Sequence, residues 1–245
     1  MCKECGCDST EEQKNENKQT KEIMIDRSVN IANDSIAHMI SHNLKDKKIL
    51  CINLMGSPGS GKTTVIEGIS SYINPEEIAV IQGDLESDID KIRLEKKNIL
   101  TYQINTHSGC HLDAMMINKA LLNMKIIGKR YLLIENVGNL VCPAGIKIGQ
   151  HADIVTSSTT EGSDKPKKYP HIFLDAKAVV ITKTDLSEAV SFDEKRYIKD
   201  ITDINSKIKI MKSSSKQPES FKEIAEYMIH QRDHLIGLSH PHHDR

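Results

Sequence analysis

Residues 56 to 64 read Gly56-Ser57-Pro58-Gly59-Ser60-Gly61-Lys62-Thr63-Thr64, and the first eight of them fit the pattern GxxxxGK[ST]. An apolar run over residues 49–55 precedes this stretch, and a helix-like pattern starts at Thr63. A strand before such a loop and a helix after it are the context in which it holds phosphate groups. Its glycines let backbone N–H groups face the phosphates, Lys62 reaches the β and γ oxygens, and the Thr63 hydroxyl is a Mg²⁺ ligand. The predicted nucleotide contacts are Gly56, Ser57, Gly59, Ser60, Gly61, Lys62, Thr63 and Thr64.

The composition is that of an ordinary globular protein. The chain has 245 residues, of which 38% are hydrophobic and 27% charged, and its 33 basic and 34 acidic residues give a formal charge of −1. This balance offers no cationic surface to nucleic-acid phosphates or anionic lipid. No apolar run approaches the roughly 18 residues that span a bilayer, and the first residues lack the apolar core of a signal peptide. We therefore expect a cytoplasmic protein that binds neither nucleic acid nor membrane.

The chain divides into four parts. Residues 1–24 are mostly polar and predict a flexible tail. Residues 25–46 repeat apolar side chains at three- and four-residue steps and predict a helix packed on the main domain. Those side chains are Ile25, Val29, Ala32, Ile36, Ile40 and Leu44. Residues 47–236 form the nucleotide-binding domain, and residues 237–245 are a short tail with three histidines, His240, His242 and His243.

Within the main domain, apolar runs alternate with helical patterns. The runs cover residues 49–55, 78–82, 100–104, 130–135, 153–158, 178–182 and 207–211. A last helix is predicted from Pro218 to about His234, with Phe221, Ile224, Ala225, Met228 and Ile229 on its buried face. Such alternation is typical of parallel βαβ units. The predicted fold class is α/β, a mostly parallel sheet flanked by helices.

Two acidic side chains are candidates for the catalytic magnesium shell. Glu135 ends a predicted strand three residues before Gly138. In a nucleotide site of this kind the carboxylate would hold a Mg²⁺-bound water, and the Gly138 N–H would sense the third phosphate. Asp84 ends another strand at the same sheet edge, where ligands of open α/β sheets gather, and either joins the magnesium shell or orients the attacking water.

The base is predicted from residues 181–185, Ile-Thr-Lys-Thr-Asp, which follow a strand and resemble the guanine-recognition element [NT]KxD. The Asp185 carboxylate accepts hydrogen bonds from N1–H and the 2-amino group of guanine, a pair that adenine lacks. Lys183 belongs to the same element. Thr182 stands where Asn is commoner, which removes a side-chain amide. GTP is therefore predicted over ATP.

Cys2, Cys5 and Cys7 form a compact CxxCxC pattern at the start of the chain. Gly6 lets the backbone fold tightly enough for the three thiolates to meet one ion. Soft sulfur ligands suit late transition metals, and three sulfurs with the α-amino group or a backbone amide suit the geometry that nickel tolerates. Unstructured, reactive cysteines are the alternative interpretation.

A second candidate metal site combines Cys110 and His111, at the start of a helical pattern, with Cys142. Both segments follow strands of a parallel sheet, so they should emerge at the same edge. Three ligands leave a tetrahedral zinc or nickel ion one position short, to be filled by water or a second subunit. Two core cysteines and a capping histidine are the alternative. Cys51, inside the strand before the phosphate loop, is interpreted as core.

Together these motifs resemble the HypB family of hydrogenase nickel-insertion GTPases, in the SIMIBI class of P-loop proteins. The resemblance covers nearly the whole chain. It is carried by CxxCxC at 2–7, GSPGSGKTT at 56–64, GCHLDA at 109–114, IENVGNLVCP at 134–143, EGSDKP at 161–166 and KYP at 168–170.

The resemblance implies slow GTP hydrolysis and GTP-promoted formation of a homodimer. It also implies nickel at the terminal cysteines, a domain metal site at Cys110, His111 and Cys142, and two partners, the zinc-containing accessory protein HypA and the hydrogenase large subunit. We expect Lys165 to contact nucleotide across the dimer. The long histidine-rich stretch of some members is missing, so nickel storage is not expected.

Three other functions remain as alternatives. A nickel GTPase that serves urease would share the phosphate loop but is expected to use a Cys-Pro-His type of metal site. A small-molecule kinase would need an acceptor pocket and no guanine selectivity, which Asp185 disfavours. A metal-storage protein with a vestigial nucleotide site would not keep Lys62, Thr63 and Asp185 intact.

Overall fold

The computed structural model describes residues 30–84, 88–106 and 109–238. Within these ranges seven strands form one sheet, in which every neighbouring pair is parallel. The strands are β1 (Leu50–Met55), β2 (Ile78–Asp84), β3 (Leu100–Asn105), β4 (Tyr131–Glu135), β5 (Ala152–Ser158), β6 (Ala178–Thr182) and β7 (Lys209–Lys212). Their order is β3-β2-β4-β1-β5-β6-β7. The predicted α/β class with a parallel sheet is confirmed.

Helices cover both faces of this sheet. They are α1 (30–46), α2 (Lys62–Ile69), α3 (Ile89–Glu95), α4 (Ala114–Asn123), α5 (Lys165–Lys168), α6 (Pro170–Leu174), α7 (Glu194–Ile204) and α8 (Phe221–Leu235). Short 3₁₀ helices occupy Pro75–Glu77, Thr159–Glu161, Thr184–Leu186 and Pro218–Ser220.

β1 is a central strand between β4 and β5. All six of its residues are buried, as expected for a parallel strand with helices on both faces. Alternate side chains face opposite layers. Ile52 belongs to the cluster that includes the buried faces of α2 and α8, whereas Cys51 belongs to the cluster that includes α1 and α4. Cys51 is fully buried, as predicted, and its pKa is raised because burial disfavours the thiolate.

On each of two helices the sequence pattern predicted one side chain to be buried that is not. On α1 the buried residues are Ala37, Ile40 and Leu44, whereas Ala32 is exposed. On α8 the buried stripe is Phe221, Ile224, Ala225 and Met228. Ile229 lies at the edge of that stripe with 37% of its surface exposed, so its predicted burial is wrong.

The connection from β4 to β5 contains no helix, although every residue of it is described. Residues 136–151 instead form turns that begin at the carboxyl end of β1, where the Asn139 N–H donates to the Gly56 carbonyl, and end beside its start, where the His151 N–H donates to the Cys51 carbonyl. A cavity of about 980 Å³ remains between α1, this connection and α6. The connection is the part of the chain that carries Gly138 and Cys142, so its shape sets the candidate site.

Candidate functional site

The phosphate loop joins β1 to α2 at the carboxyl edge of the sheet. Gly61 has a φ of 95°, in the left-handed region that favours glycine. A Cβ on Gly56 would lie 2.3 Å from the carbonyl oxygen of Thr156 on the neighbouring strand. The hydroxyls of Ser60 and Thr156 are 2.8 Å apart and fix the loop to β5. The loop therefore has the tight backbone path that its glycines predicted.

The Lys62 side chain is 7% exposed and folds back over the loop. Its ammonium donates to the carbonyl oxygens of Gly56, at 3.2 Å, and Ser57, at 3.1 Å. It also lines a cavity of about 470 Å³ together with Pro58, Gly59, Gly61, Thr63, Thr64, Glu135 and Gly138. This cavity has the position and the charge of a triphosphate site.

Glu135 ends β4 directly beside Thr63. The Thr63 hydroxyl donates to one carboxylate oxygen of Glu135 at 2.6 Å, and the Gln82 amide donates to the other at 2.8 Å. Burial raises the pKa of Glu135, while these two hydrogen bonds and the nearby Lys62 charge oppose that shift. A hydroxyl and a carboxylate in contact are the hard oxygen ligands that Mg²⁺ takes at nucleotide sites, so these residues fit the ion. No sequence motif indicates that Gln82 belongs to this site.

Gly138 packs against the phosphate loop. A Cβ at this position would lie 2.8 Å from the ring and backbone nitrogen of Pro58. The next residue, Asn139, donates its backbone N–H to the Gly56 carbonyl at 3.0 Å. The 138–139 segment is therefore in direct contact with the phosphate loop, and sensing of the third phosphate by the Gly138 N–H stays a prediction.

Arg93 and Asp90 of α3 also line the cavity, and sequence reasoning missed both. The Arg93 guanidinium bonds both carboxylate oxygens of Glu67, at 3.1 and 2.5 Å, and one of Asp90, at 2.5 Å. Asp84 ends β2, but its side chain lies outside the described part of the molecule. The role of Asp84 therefore stays a prediction.

The guanine-recognition element follows β6 and adjoins the phosphate loop. The Thr182 hydroxyl donates to the Ser60 carbonyl at 2.6 Å. Lys183 has a φ of 56°, and its carbonyl accepts a hydrogen bond from Thr159. The carboxylate of the exposed Asp185 is bonded by the Ser214 hydroxyl, which comes from the segment after β7. Sequence reasoning did not find Ser214.

The Glu161 side chain lies between Lys165 and the phosphate loop. The Glu161 carboxylate accepts a hydrogen bond from the Ser57 hydroxyl at 2.7 Å, and the Lys165 ammonium is 4.0 Å from the same carboxylate oxygen. The ammonium also lies 5.3 Å from the centre of the Tyr169 ring. Contact of Lys165 with a nucleotide stays a prediction.

The candidate domain metal ligands are related in pairs, each through Cys110. The Cys110 sulfur is 3.6 Å from Nδ1 of His111. The neighbouring Cys110 thiol raises the pKa of the Cys142 thiol above its usual value. Cys110 and Cys142 are half-buried, unlike the core thiol Cys51. No three Cys, His, Asp or Glu side chains among the described residues are grouped as a complete cation site.

The terminal cysteines Cys2, Cys5 and Cys7 lie outside the described residues. In the part of the chain that is described, no helix is both long and apolar enough to cross a membrane.

A model of the CobW/HypB/UreG nucleotide-binding domain matches residues 50–212. The hydrogenase/urease maturation factor HypB of Helicobacter hepaticus is 37% identical over 222 residues, which cover 89% of this chain and 91% of that protein. The hydrogenase maturation factor HypB of Escherichia coli K12 is 36% identical over 201 residues, 82% of this chain and 69% of that protein.

Solved structures agree. The crystal structure of HypB from Helicobacter pylori in complex with nickel superposes with a TM-score of 0.80 at 34% identity, over 87% of this chain and all of that one. The signal recognition particle receptor FtsY from Elizabethkingia anophelis, at a TM-score of 0.52 and 15% identity over 80% of this chain and 72% of that one, shares the fold.

Proposed function

This chain belongs to the CobW/HypB/UreG family, and to HypB within it, and from that membership we propose that it is a GTP-hydrolysing nickel metallochaperone for the maturation of [NiFe] hydrogenase. Nickel is its cargo, and GTP hydrolysis resets the delivery cycle. Its cytoplasmic location is part of the same proposal.

One observation carries this proposal: the thiol pair lies beside the nucleotide-sensing segment. Gly138 packs on Pro58 of the phosphate loop, and Cys142 follows four residues later, near Cys110. A change of phosphate occupancy that moves Gly138 would therefore move one of the candidate metal ligands. This arrangement supports a switch in which nucleotide state sets metal affinity.

Lys62, Thr63 and Glu135 are the proposed catalytic machinery. Mg²⁺, held by the Thr63 hydroxyl and, through water, by Glu135, would neutralise charge on the phosphates. Lys62 moves its ammonium from the loop carbonyls to the β and γ oxygens, and Asp84 is the proposed orienter of the attacking water. We expect slow turnover because Arg93 is held by two carboxylates, and a free arginine at the phosphates is worth roughly 10³ to 10⁵ in rate.

Guanine selectivity is assigned to Asp185, with Lys183 beside it. The Ser214 hydroxyl holds one carboxylate oxygen of Asp185, which fixes its orientation. A carboxylate oriented by Ser214, in the segment after β7, suits guanine recognition and favours a GTPase over a kinase that would accept ATP.

We propose that GTP promotes a homodimer in which Lys165 contacts the nucleotide of the partner subunit. The terminal cysteines Cys2, Cys5 and Cys7 would carry nickel, while Cys110, His111 and Cys142 would bind nickel or zinc according to nucleotide state. HypA and the hydrogenase large subunit are the proposed partners. A urease client is the second candidate, because the Helicobacter relatives are named hydrogenase/urease maturation factors.

A nickel titration in two nucleotide states tests this function. The full chain is compared with a variant in which the three terminal cysteines are replaced by serine, each with GDP and with a nonhydrolysable GTP analogue. We expect the variant to keep one nickel site whose affinity differs between the two nucleotides. Cys110→Ala with Cys142→Ala should abolish that site, and equal affinities in both states would refute the switch.

A phosphate-release assay with GTP alone separates the remaining functions. A GTPase frees phosphate without an acceptor, whereas a kinase needs one. A storage protein would show neither turnover nor measurable GTP affinity.

A further inference from the structure

Two asparagines flank the segment that contacts the phosphate loop, one on each side of Val137 and Gly138. We infer that Asn136 and Asn139 are positioning residues that carry a movement of this segment to the two cysteine thiols, Asn136 toward Cys110 and Asn139 toward Cys142. The inference rests on the proposed function and names the groups through which its two sites are coupled.

Asn136 links the segment to the Cys110 side. Its side chain is 1% exposed, and Oδ1 accepts hydrogen bonds from the backbone N–H of Leu112, at 3.2 Å, and of Val137, at 2.9 Å. Leu112 directly follows Cys110 and His111. One amide oxygen therefore holds both the cysteine-histidine segment and the residue before Gly138.

Asn136 is also fixed to the sheet. Its Nδ2 donates to Oδ1 of Asn53 in β1 at 3.1 Å, and Asn53 in turn donates to Asp153 in β5 at 2.7 Å. Asn53 is fully buried. Buried polar groups of this kind are costly to leave unpaired, so these hydrogen bonds hold the Asn136 amide to the sheet.

Asn139 links the segment to the Cys142 side. Its Oδ1 accepts from the N–H of Val141 at 2.7 Å and of Cys142 at 3.2 Å. Its own N–H donates to the Gly56 carbonyl at 3.0 Å, and the same carbonyl accepts from the Lys62 ammonium at 3.2 Å.

The contacts at the Gly56 carbonyl give the coupling a physical origin. When Lys62 turns toward phosphate oxygens, the Gly56 carbonyl loses the hydrogen bond from the ammonium. The hydrogen bond that it accepts from the Asn139 N–H then changes in strength. Since the Asn139 side chain holds the Cys142 N–H, the change reaches Cys142 through a single residue. Cys142 and Cys110 are neighbours, so a shift of either asparagine arm changes how the two thiols lie relative to each other.

Thiol labelling reports a change in the exposure and reactivity of these two cysteines, and it needs no metal. In the full chain with Cys2, Cys5 and Cys7 replaced by serine, the remaining cysteines are Cys51, Cys110 and Cys142. Cys51 is fully buried, so an aromatic disulfide reagent reports on Cys110 and Cys142. The measured quantity is the ratio of labelling rates with GDP and with a nonhydrolysable GTP analogue.

We expect a ratio that departs from one by about 5-fold or more in the parent, the lower range of typical allosteric coupling. Asn139→Ala should bring the ratio close to one while GTP-analogue affinity changes by less than about twofold. Asn139→Asp keeps the accepting oxygen and should restore most of the parent's ratio. Asn136→Ala should also lower the ratio if its thermal unfolding shows a folded protein.

Asn205→Ala is the matched control. Asn205 is a half-buried asparagine whose amide donates to the carbonyls of Phe173, Leu174 and Ala176, away from the phosphate loop. It should keep the parent's ratio.

The outcomes separate this inference from the function on which it rests. A parent ratio of one, or an undiminished ratio in Asn139→Ala, overturns the asparagine link. A ratio that collapses in Asn139→Ala while nickel affinity is equal in both nucleotide states upholds the link and overturns the metal switch.

Discussion

Lys62 is a buried cation whose ammonium donates hydrogen bonds to two carbonyls of its own loop, at 3.1 and 3.2 Å. Such neutral acceptors hold an ammonium less strongly than phosphate oxygens do, so the side chain is ready to turn into the cavity. Its position therefore suits a group that moves when nucleotide enters.

Replacement of Lys62 by alanine should lower kcat for GTP hydrolysis by about 100-fold or more, because a preorganised charge at the transition state is lost. Single-turnover phosphate release measures this. Lys216→Ala, a surface lysine beyond β7, is the control and should hydrolyse GTP at the parent's rate. An active Lys62→Ala protein would remove Lys62 from the catalytic assignment.

Asp185 has a different proposed role, which is to discriminate between bases. Asp185→Ala should weaken GTP binding by at least about 10-fold, the cost of losing hydrogen bonds to a charged group, and leave ATP binding unchanged. Competition binding with both nucleotides measures the ratio. Ser214→Ala, which removes the bond that orients Asp185, should give a smaller loss; an equal loss for ATP would contradict base recognition.

The motif residues of the site could be predicted because their spacing encodes the geometry. GxxxxGK[ST] fixes the relation of Lys62 and Thr63 to the loop, and the end of β4 places Glu135 beside them. Gln82 and Ser214 could not be predicted, because they reach the site only through the packing of separate strands. No local pattern marks a glutamine that will face a carboxylate 53 positions away.

Among the secondary elements, α1 shows where pattern reading fails. The strands were located to within two residues of their observed starts, since buried parallel strands are continuous apolar runs. On α1, however, the inward face includes a polar residue. Asn33 donates to the Lys147 carbonyl at 2.8 Å and accepts from the Ala114 N–H at 2.9 Å. This turns the face toward Ala37 and leaves Ala32 exposed.

His151 holds the other end of α1 to the sheet. Its Nδ1 accepts from the Cys51 N–H at 2.9 Å, which leaves Nε2 to donate to the Ser41 carbonyl at 3.0 Å. The bond from Cys51 requires the neutral ring, because a protonated imidazole has no acceptor nitrogen, whereas Nε2–H can donate to Ser41 in either state. Burial lowers the pKa of His151, with a further lowering from the Lys45 charge.

This lowered pKa makes stability depend on pH. The unfolded chain binds a proton at His151 near pH 6.5, and the folded protein does so only at lower pH. The contribution is therefore complete above about pH 6.5 and is lost as pH falls below it. Urea unfolding at pH 7.5 and 5.5 should show a smaller loss in His151→Asn, which keeps an acceptor for Cys51, than in the parent.

His38→Asn is the matched control, because His38 is an exposed α1 histidine on the same cavity. Its loss between the two pH values should equal that of the parent. An unchanged loss in His151→Asn would mean that other groups dominate the acid response.

The molecule as a whole gathers its site from β1, β4 and β6 at one sheet edge, as parallel topology requires. Nucleotide therefore contacts segments that are far apart in the chain. A ligand bound only by the folded protein stabilises it by about 2.7 kcal/mol at 100 times its Kd. GTP analogue should accordingly raise the thermal midpoint of the parent and leave that of Lys62→Ala nearly unchanged at the same concentration. An equal rise in both proteins would show that Lys62 adds little to binding.

The Thr182 hydroxyl joins the predicted guanine-recognition element to the phosphate loop, because it donates to the Ser60 carbonyl. The two halves of the nucleotide pocket are thus unequal in how freely they can evolve. We expect a substitution of Asp185 to alter which base is accepted and to leave the phosphate loop intact. Loss of the Thr182 hydroxyl would instead remove a hydrogen bond to the loop and weaken the binding of every nucleoside triphosphate. In a lineage that changed its nucleotide preference, we expect Asp185 to vary before Thr182.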